Sequence, residues 1–336
     1  MPFHAEEWWQ NPGTANHLCD NVACFYSSLG LAVSMDNGRT FKVAGEILQP
    51  SEPLSAFQGG GMNMAVGTGS LVVADANGNH LGNPPPDPSS AYFYLSYSDF
   101  TQGLTGACAY APCMGVARAS YVSVVQAALS GDPHAVASLF HKYNGAAPDP
   151  WTQPATSDTP DQSGTAGSYT PLWTGDIATQ PEVIFDGSLN GYLAVYQSHG
   201  GIRIRASNDL LHWSEPLGSG YNETGRTLYA PTIIGETGDP TIAGSAPRLY
   251  FTSFPRNSFA NWKTSSFETL QLTIRQTPAP SSALTSTSLI TISSQSSWQG
   301  AIAQTVAGLV VVAVVAVFAF RLTKRKTSAP TSRSCG

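Results

Sequence analysis

Ser34-Met35-Asp36-Asn37-Gly38-Arg39-Thr40-Phe41 is the stretch on which the fold turns. Its pattern, S-x-D-x-G-x-T-F, is turn chemistry at a fixed spacing. Ser34 and Asp36 carry oxygens that can hydrogen-bond the backbone of a tight turn, and Gly38 supplies a positive φ. Phe41 opens the next strand, where it can pack beneath the turn. An ordinary Asn-Gly hairpin would use residues 37 and 38 in the same way. On either reading two antiparallel strands flank the stretch.

Outward from this turn, strand-like runs recur with turn residues between them. The first unit covers roughly 22–50 and holds Phe25–Val33; His4–Trp9 is the candidate for its inner strand. A second unit holds Gly69–Asp75 and Ala91–Phe100, and a third holds Gly115–Ser120 and His141–Gly145. A fourth runs through Pro181–Phe185, Gly191–Tyr196 and Ile202–Ser207, and closes on Asn208–Trp213, a relaxed copy of the first turn. The fifth holds Tyr229–Ile234 and Arg248–Ser253. Units of about 40–60 residues with three or four strands each predict the blades of a β-propeller. Val122–Ala128 predicts a helical insertion between strands, and 146–170 a long loop without periodicity.

Composition agrees with an all-β chain. Only 11% of the 336 residues are charged while there are 32 Gly and 24 Pro, which suits short strands joined by many turns. The net charge of −6 and the absence of a basic cluster before residue 300 point away from nucleic acid. Cys19 and Cys24, and Cys108 and Cys113, form two C-x4-C pairs. They read as local disulfides of an oxidising compartment; a four-thiolate zinc site and buried free thiols are the rival readings.

Ala301–Phe320 is uncharged and long enough to span a bilayer as a helix, and Arg321, Lys324, Arg325 and Lys326 follow at once. The positive-inside rule then predicts a single-pass membrane protein with its C-terminus cytoplasmic and the preceding domain extracellular or lumenal. Asn222-Glu223-Thr224 is a glycosylation sequon consistent with that side. Met1–Glu6 lacks the apolar core of a signal peptide, which leaves a truncated start or a cytosolic tail-anchored protein as alternatives. The expected organisation is a β-propeller at 1–275, a Ser/Thr/Pro-rich stalk at 276–299, a membrane helix at 300–322 and a short basic tail at 323–336.

Ser34–Phe41 resembles the Asp box of sialidases and related β-propellers. The segments ASNDLLHWSEP, YAPTIIG and LYFTSF look like blade endings of five-bladed propeller glycosidases of the arabinanase, xylosidase and levansucrase type. The resemblance implies a five-bladed propeller with substrate at the mouth of a central channel, where inner strands converge. It implies sugar hydrolysis by a protonated carboxyl and an ionised carboxylate. Three carboxylates fall on candidate inner strands: Glu6, Asp75 and Glu182. Glu182 resembles the acid of the family's P-E pattern. Glu6 stands where the family places an early carboxylate, usually Asp. Each has a plain alternative, Glu6 as a terminal charge, Asp75 as a turn residue before Ala-Asn-Gly-Asn, and Glu182 as a structural residue.

Arg118, His199 and His141 are candidates for sugar hydroxyls, and Trp173 and Tyr229 for stacking platforms, though propeller aromatics are more often core. No P-loop, G-x-S-x-G, H-E-x-x-H or dinucleotide fingerprint is present, and nothing calls for a cofactor or a metal. The few arginines before the stalk disfavour a sialidase, which needs a triad of them. The sequence thus predicts a glycosidase-like propeller with a carbohydrate ligand, anchored in a lipid bilayer. A non-catalytic carbohydrate-binding or adhesion propeller is the alternative.

Overall fold

The computed structural model describes residues 1–8, 25–51, 66–100, 112–132, 134–157, 166–256, 264–277 and 287–293. Strands β1 (Pro2–Trp8), β2 (Phe25–Val33) and β3 (Lys42–Leu48) form the first sheet, so that the segment around His4 does supply a strand beside β2. The second sheet contains β4 (Val66–Ala74), β5 (Tyr92–Asp99), β6 (Cys113–Ser120), β7 (His141–Lys142) and β8 (Gln153–Pro154). The third contains β9 (Thr179–Asp186), β10 (Gly191–Ser198) and β11 (Gly201–Ser207). In the fourth are β12 (Arg226–Ile234), β13 (Arg248–Pro255), β14 (Ser266–Thr277) and β15 (Thr287–Ser293). Within every sheet each strand pairs with its neighbour in sequence. That up-and-down order gives an all-β, propeller-like arrangement.

The count of units differs from the sequence pattern. Among the described residues there are four sheets, where the pattern predicts five units. The second and third units share one sheet because β5 pairs with β6 residue for residue, from Tyr92 opposite Ser120 to Asp99 opposite Cys113. Nor does a free stalk begin at 276. β15 pairs with the end of β14 from Gln271 to Thr277, and its Thr/Ile alternation favours a strand. The stretch from 294 onward, with the expected membrane helix at 300–322 and the tail at 323–336, lies outside the described residues. Among the described residues no helix is long and apolar enough to cross a membrane.

Turn chemistry at Ser34–Phe41 is seen in detail. Gly38 N donates to Ser34 Oγ at 2.8 Å, Thr40 N to Asp36 Oδ1 at 2.8 Å, and the Thr40 hydroxyl to Asp36 Oδ2 at 2.7 Å. These donors hold the Asp36 carboxyl down at about 2. Gly38 has φ 81°. Phe41, expected beneath the turn, is 51% exposed, and Lys42 and Val43 after it are exposed as well; burial in β3 begins at Ala44. In the relaxed copy Asp209 accepts from Leu211 N and His212 N, while Trp213 packs edge-on against Trp173 at 5.9 Å.

The core runs between successive sheets. Leu29, Ile47, Leu95 and Ala117 fill the space between the first and second. Val72, Tyr94, Val183 and Tyr192 fill that between the second and third, and Ile184, Val195, Leu228 and Leu249 that between the third and fourth. Helix α1 (Tyr121–Ser130) is inserted between β6 and β7, as the sequence predicts, and places Val124 and Ala128, one turn apart, in the first of these cores. Cys113 is buried and disulfide-bonded; Cys19, Cys24, Cys108 and Cys335 lie outside the described residues.

Candidate functional site

Two strands of neighbouring sheets carry the same irregularity. β9 contains Gln180-Pro181-Glu182 and β12 contains Ala230-Pro231-Thr232. Proline cannot donate to a sheet ladder, and the register shifts at both places. In each case the residue before the proline adopts a left-handed backbone, Gln180 at φ 50° and Ala230 at φ 50°. Such a conformation costs about 1–3 kcal/mol for a residue with a Cβ, and a bulge re-aims the side chains that follow it. The side chains after the two prolines, Glu182 and Thr232, are brought together, and the Thr232 hydroxyl hydrogen-bonds the Glu182 carboxyl.

Both residues line a cavity of about 950 Å³ formed where β4, β9 and β12 converge with the first sheet and α1. Burial raises the Glu182 carboxyl to about 7 and outweighs the opposing hydrogen bond from Thr232. Among the described residues it is the one carboxylate on the cavity wall, and no arginine stands there. Ser70 fixes the neighbouring strand. Its hydroxyl accepts from Val183 N at 2.8 Å and meets Ser96 Oγ at 3.0 Å, tying β4 to β9. The buried Gln180 Oε1 on the same wall has no hydrogen-bond partner among the described residues.

Of the residues singled out in the sequence, Glu182 alone has its side chain on this wall among those described. Glu6 lies in β1 opposite Ser27, and its side chain is outside the described residues. Asp75 follows β4 and is occupied by a turn: it accepts from Asn77 N at 2.8 Å, Asn79 N at 2.9 Å and Asn79 Nδ2 at 2.8 Å. Those bonds lower its carboxyl against the opposing effect of burial, the opposite direction from Glu182. Asp75 itself does not line the cavity, whose wall on β4 ends at Val73.

The proposed sugar-binding residues are dispersed. Arg118 lies between the Tyr92 and Trp151 rings, 4.6 and 4.2 Å from their centroids, and donates to Tyr94 Oη at 3.3 Å. His199 occupies the β10–β11 turn, mostly exposed, 3.9 Å from Asp176. His141 Nδ1 meets Leu139 O at 3.2 Å. Trp173 is core: it packs on Tyr196 at 5.2 Å, under the Arg205 guanidinium at 4.8 Å. Tyr229 packs on Phe254 at 6.1 Å. None of these five lines the cavity. Thr232, Gln180 and Ser70, which do, were not among the expected residues. The repeated X-Pro step at 180–181 and 230–231 is the sequence signal that marks two of them.

No protein-family model and no curated protein matches the chain. Among solved structures it is similar to the GH32 β-fructofuranosidase BmSUC1 of Bombyx mori, with 14% identity, a TM-score of 0.40, and coverage of 80% of this chain and 42% of the other. It is similar also to a Schwanniomyces occidentalis fructofuranosidase in two structures, complexed with fructose and with fructosyl-erythritol. Their identities are 12% and 11%, each with a TM-score of 0.36 and coverage of 82% of this chain and 51% of the other. The chain thus spans about half, or less, of the length of the structures it resembles.

Proposed function

We propose that this chain is a glycosidase-like propeller that takes a glycan in the cavity between β4, β9 and β12, with Glu182 as its proton donor. The observation that supports this is the Glu182 carboxyl, aimed by a proline bulge at a roomy cavity and raised by burial to about 7. A carboxyl at that value is protonated for a good part of its time at neutral pH, which a general acid requires. Hydrolysis needs a second, ionised carboxylate about 5–10 Å away. Asp75 is engaged in its turn, so Glu6 is the candidate for that role. In this reading the membrane segment at 300–322 anchors the domain, which faces the extracellular or lumenal side.

Glu182 as the one described carboxylate on the wall favours a second reading, glycan binding without hydrolysis. Aryl glycosides and fructosyl oligosaccharides offered to the wild type, Glu182→Gln and Glu6→Gln separate the two. Hydrolysis that falls at least a hundredfold in both variants, and that in the wild type declines above about pH 7 as Glu182 ionises, supports the enzyme. Glycan binding without turnover, weakened in Glu182→Gln, supports the binding module. Turnover that is indifferent to Glu182 overturns its assignment.

A further inference from the structure

We propose that the ligand of this cavity is an amphiphile: a glycoside whose aglycone is an alkyl or aryl group, seated against an apolar wall opposite Glu182. The inference rests on the reading of the cavity as a glycan site and names the class of glycan it takes. The cavity has two unlike sides. Ser70, Gln180, Glu182 and Thr232 place polar groups on β4, β9 and β12, interleaved with apolar residues of the same strands such as Leu71, Val73 and Pro231. The other side is built from Leu31 and Val33 at the end of β2 and from Val125 and Leu129 of α1.

Part of that second side belongs to the core, in which Leu31 is buried and against which Val33 packs, but α1 carries it further. Val124 and Ala128 supply the helix's core contact and also line the cavity. Val125 and Leu129 form the adjacent row, again one turn apart, and widen the wall beyond the core; Leu129 remains 53% exposed. Met35, 77% exposed, extends the same apolar surface at the rim. A free sugar carries hydroxyls around its ring, with only a small apolar face between them. Against this wall they would lose water without gaining partners. A glycoside with an apolar tail meets both sides, its hydroxyls toward the strands and its tail toward β2 and α1. The unpartnered Gln180 Oε1 accepts one of those hydroxyls. A cavity of about 950 Å³ has room for both parts.

The test is calorimetric titration of the full chain in lipid nanodiscs with methyl, butyl and hexyl glycosides of glucose, galactose, mannose, xylose and fructose. For the preferred sugar, affinity rises by up to about fourfold per methylene. Leu129→Asn, at an exposed position, flattens that slope, whereas Glu182→Gln weakens the whole series and leaves the slope in place. Affinity that depends on Glu182 but not on tail length overturns this inference and leaves the glycan site standing. Hexanol binding as tightly as every hexyl glycoside, indifferent to Glu182→Gln, overturns the glycan reading itself. Absence of binding by every probe overturns both.

Discussion

Glu182 shows how one side chain acquires chemistry from its position. A glutamate on a regular strand would lie beside its ladder partners; here Pro181 and the left-handed Gln180 turn it into the cavity. Burial then favours the neutral form, and the single Thr232 hydroxyl does not restore the charge. Because the folded value lies above the unfolded one, its favourable contribution is complete below about pH 4.5 and is lost as pH rises through about 7. Glu182→Gln, which has no charge to bury, is therefore expected to match the wild type near pH 4 and to exceed it by on the order of 3 kcal/mol at pH 8. Urea midpoints at the two pH values check this, and an unchanged difference between them counts against the raised carboxyl. Asp36 runs the other way. Its carboxyl is exposed and held low by the turn donors. The same acidic chemistry thus serves a turn at one place and a candidate reaction at another.

At the scale of elements, the strand faces are set by what can approach them. Gly69 in β4 lies on the cavity wall, and a Cβ there would come within 2.1 Å of the Ser96 carbonyl oxygen of β5. Backbone cannot retreat as a flexible side chain can. Gly69→Val should part β4 from β5 and destabilise the protein by about 2–3 kcal/mol, read as a lower urea midpoint. A midpoint within error of the wild type would show that β4 is free to move. Much of this level is legible in sequence. Phe25–Val33 is β2 as read, and Gly191–Tyr196 and Ile202–Ser207 fall in β10 and β11, because apolar runs bounded by Gly and Asn carry their own turn signals. The grouping of strands into sheets is less so. In the sequence β5 and β6 fall in different units, yet the two strands pair along their whole length.

At the scale of the molecule, the sheets are tied by a few polar clasps besides their apolar cores. Lys142 of β7 is wholly buried, and its ammonium donates to Gln49 O at 2.7 Å and Ser51 Oγ at 3.3 Å, joining the second sheet to the chain leaving the first. Burial lowers it to about 8, with Asp99 opposing. Gln49 continues the clasp, its backbone N–H donating to Ala155 O at 2.8 Å and its side-chain Oε1 accepting from Ser157 N at 2.7 Å. Lys142→Ala would leave a void and an unmet carbonyl, and should cost on the order of 3 kcal/mol in thermal or urea unfolding. A loss below about 1 kcal/mol would mean that the two sheets are held by apolar contact alone.

The sequence by itself determined the all-β class, most of the strands, the inserted helix and the turn at Ser34–Phe41, since each depends on residues close together in the chain. It also pointed to Glu182, through the proline before it. The tertiary structure decided how strands divide among sheets, that β15 extends the fourth sheet, and that Trp173 is core while Asp75 serves a turn. Only the meeting of β4, β9, β12 and α1 could place Thr232 against Glu182 and an apolar wall opposite them. Burial, which moves a carboxyl and selects a ligand, is a property of neighbours distant in sequence.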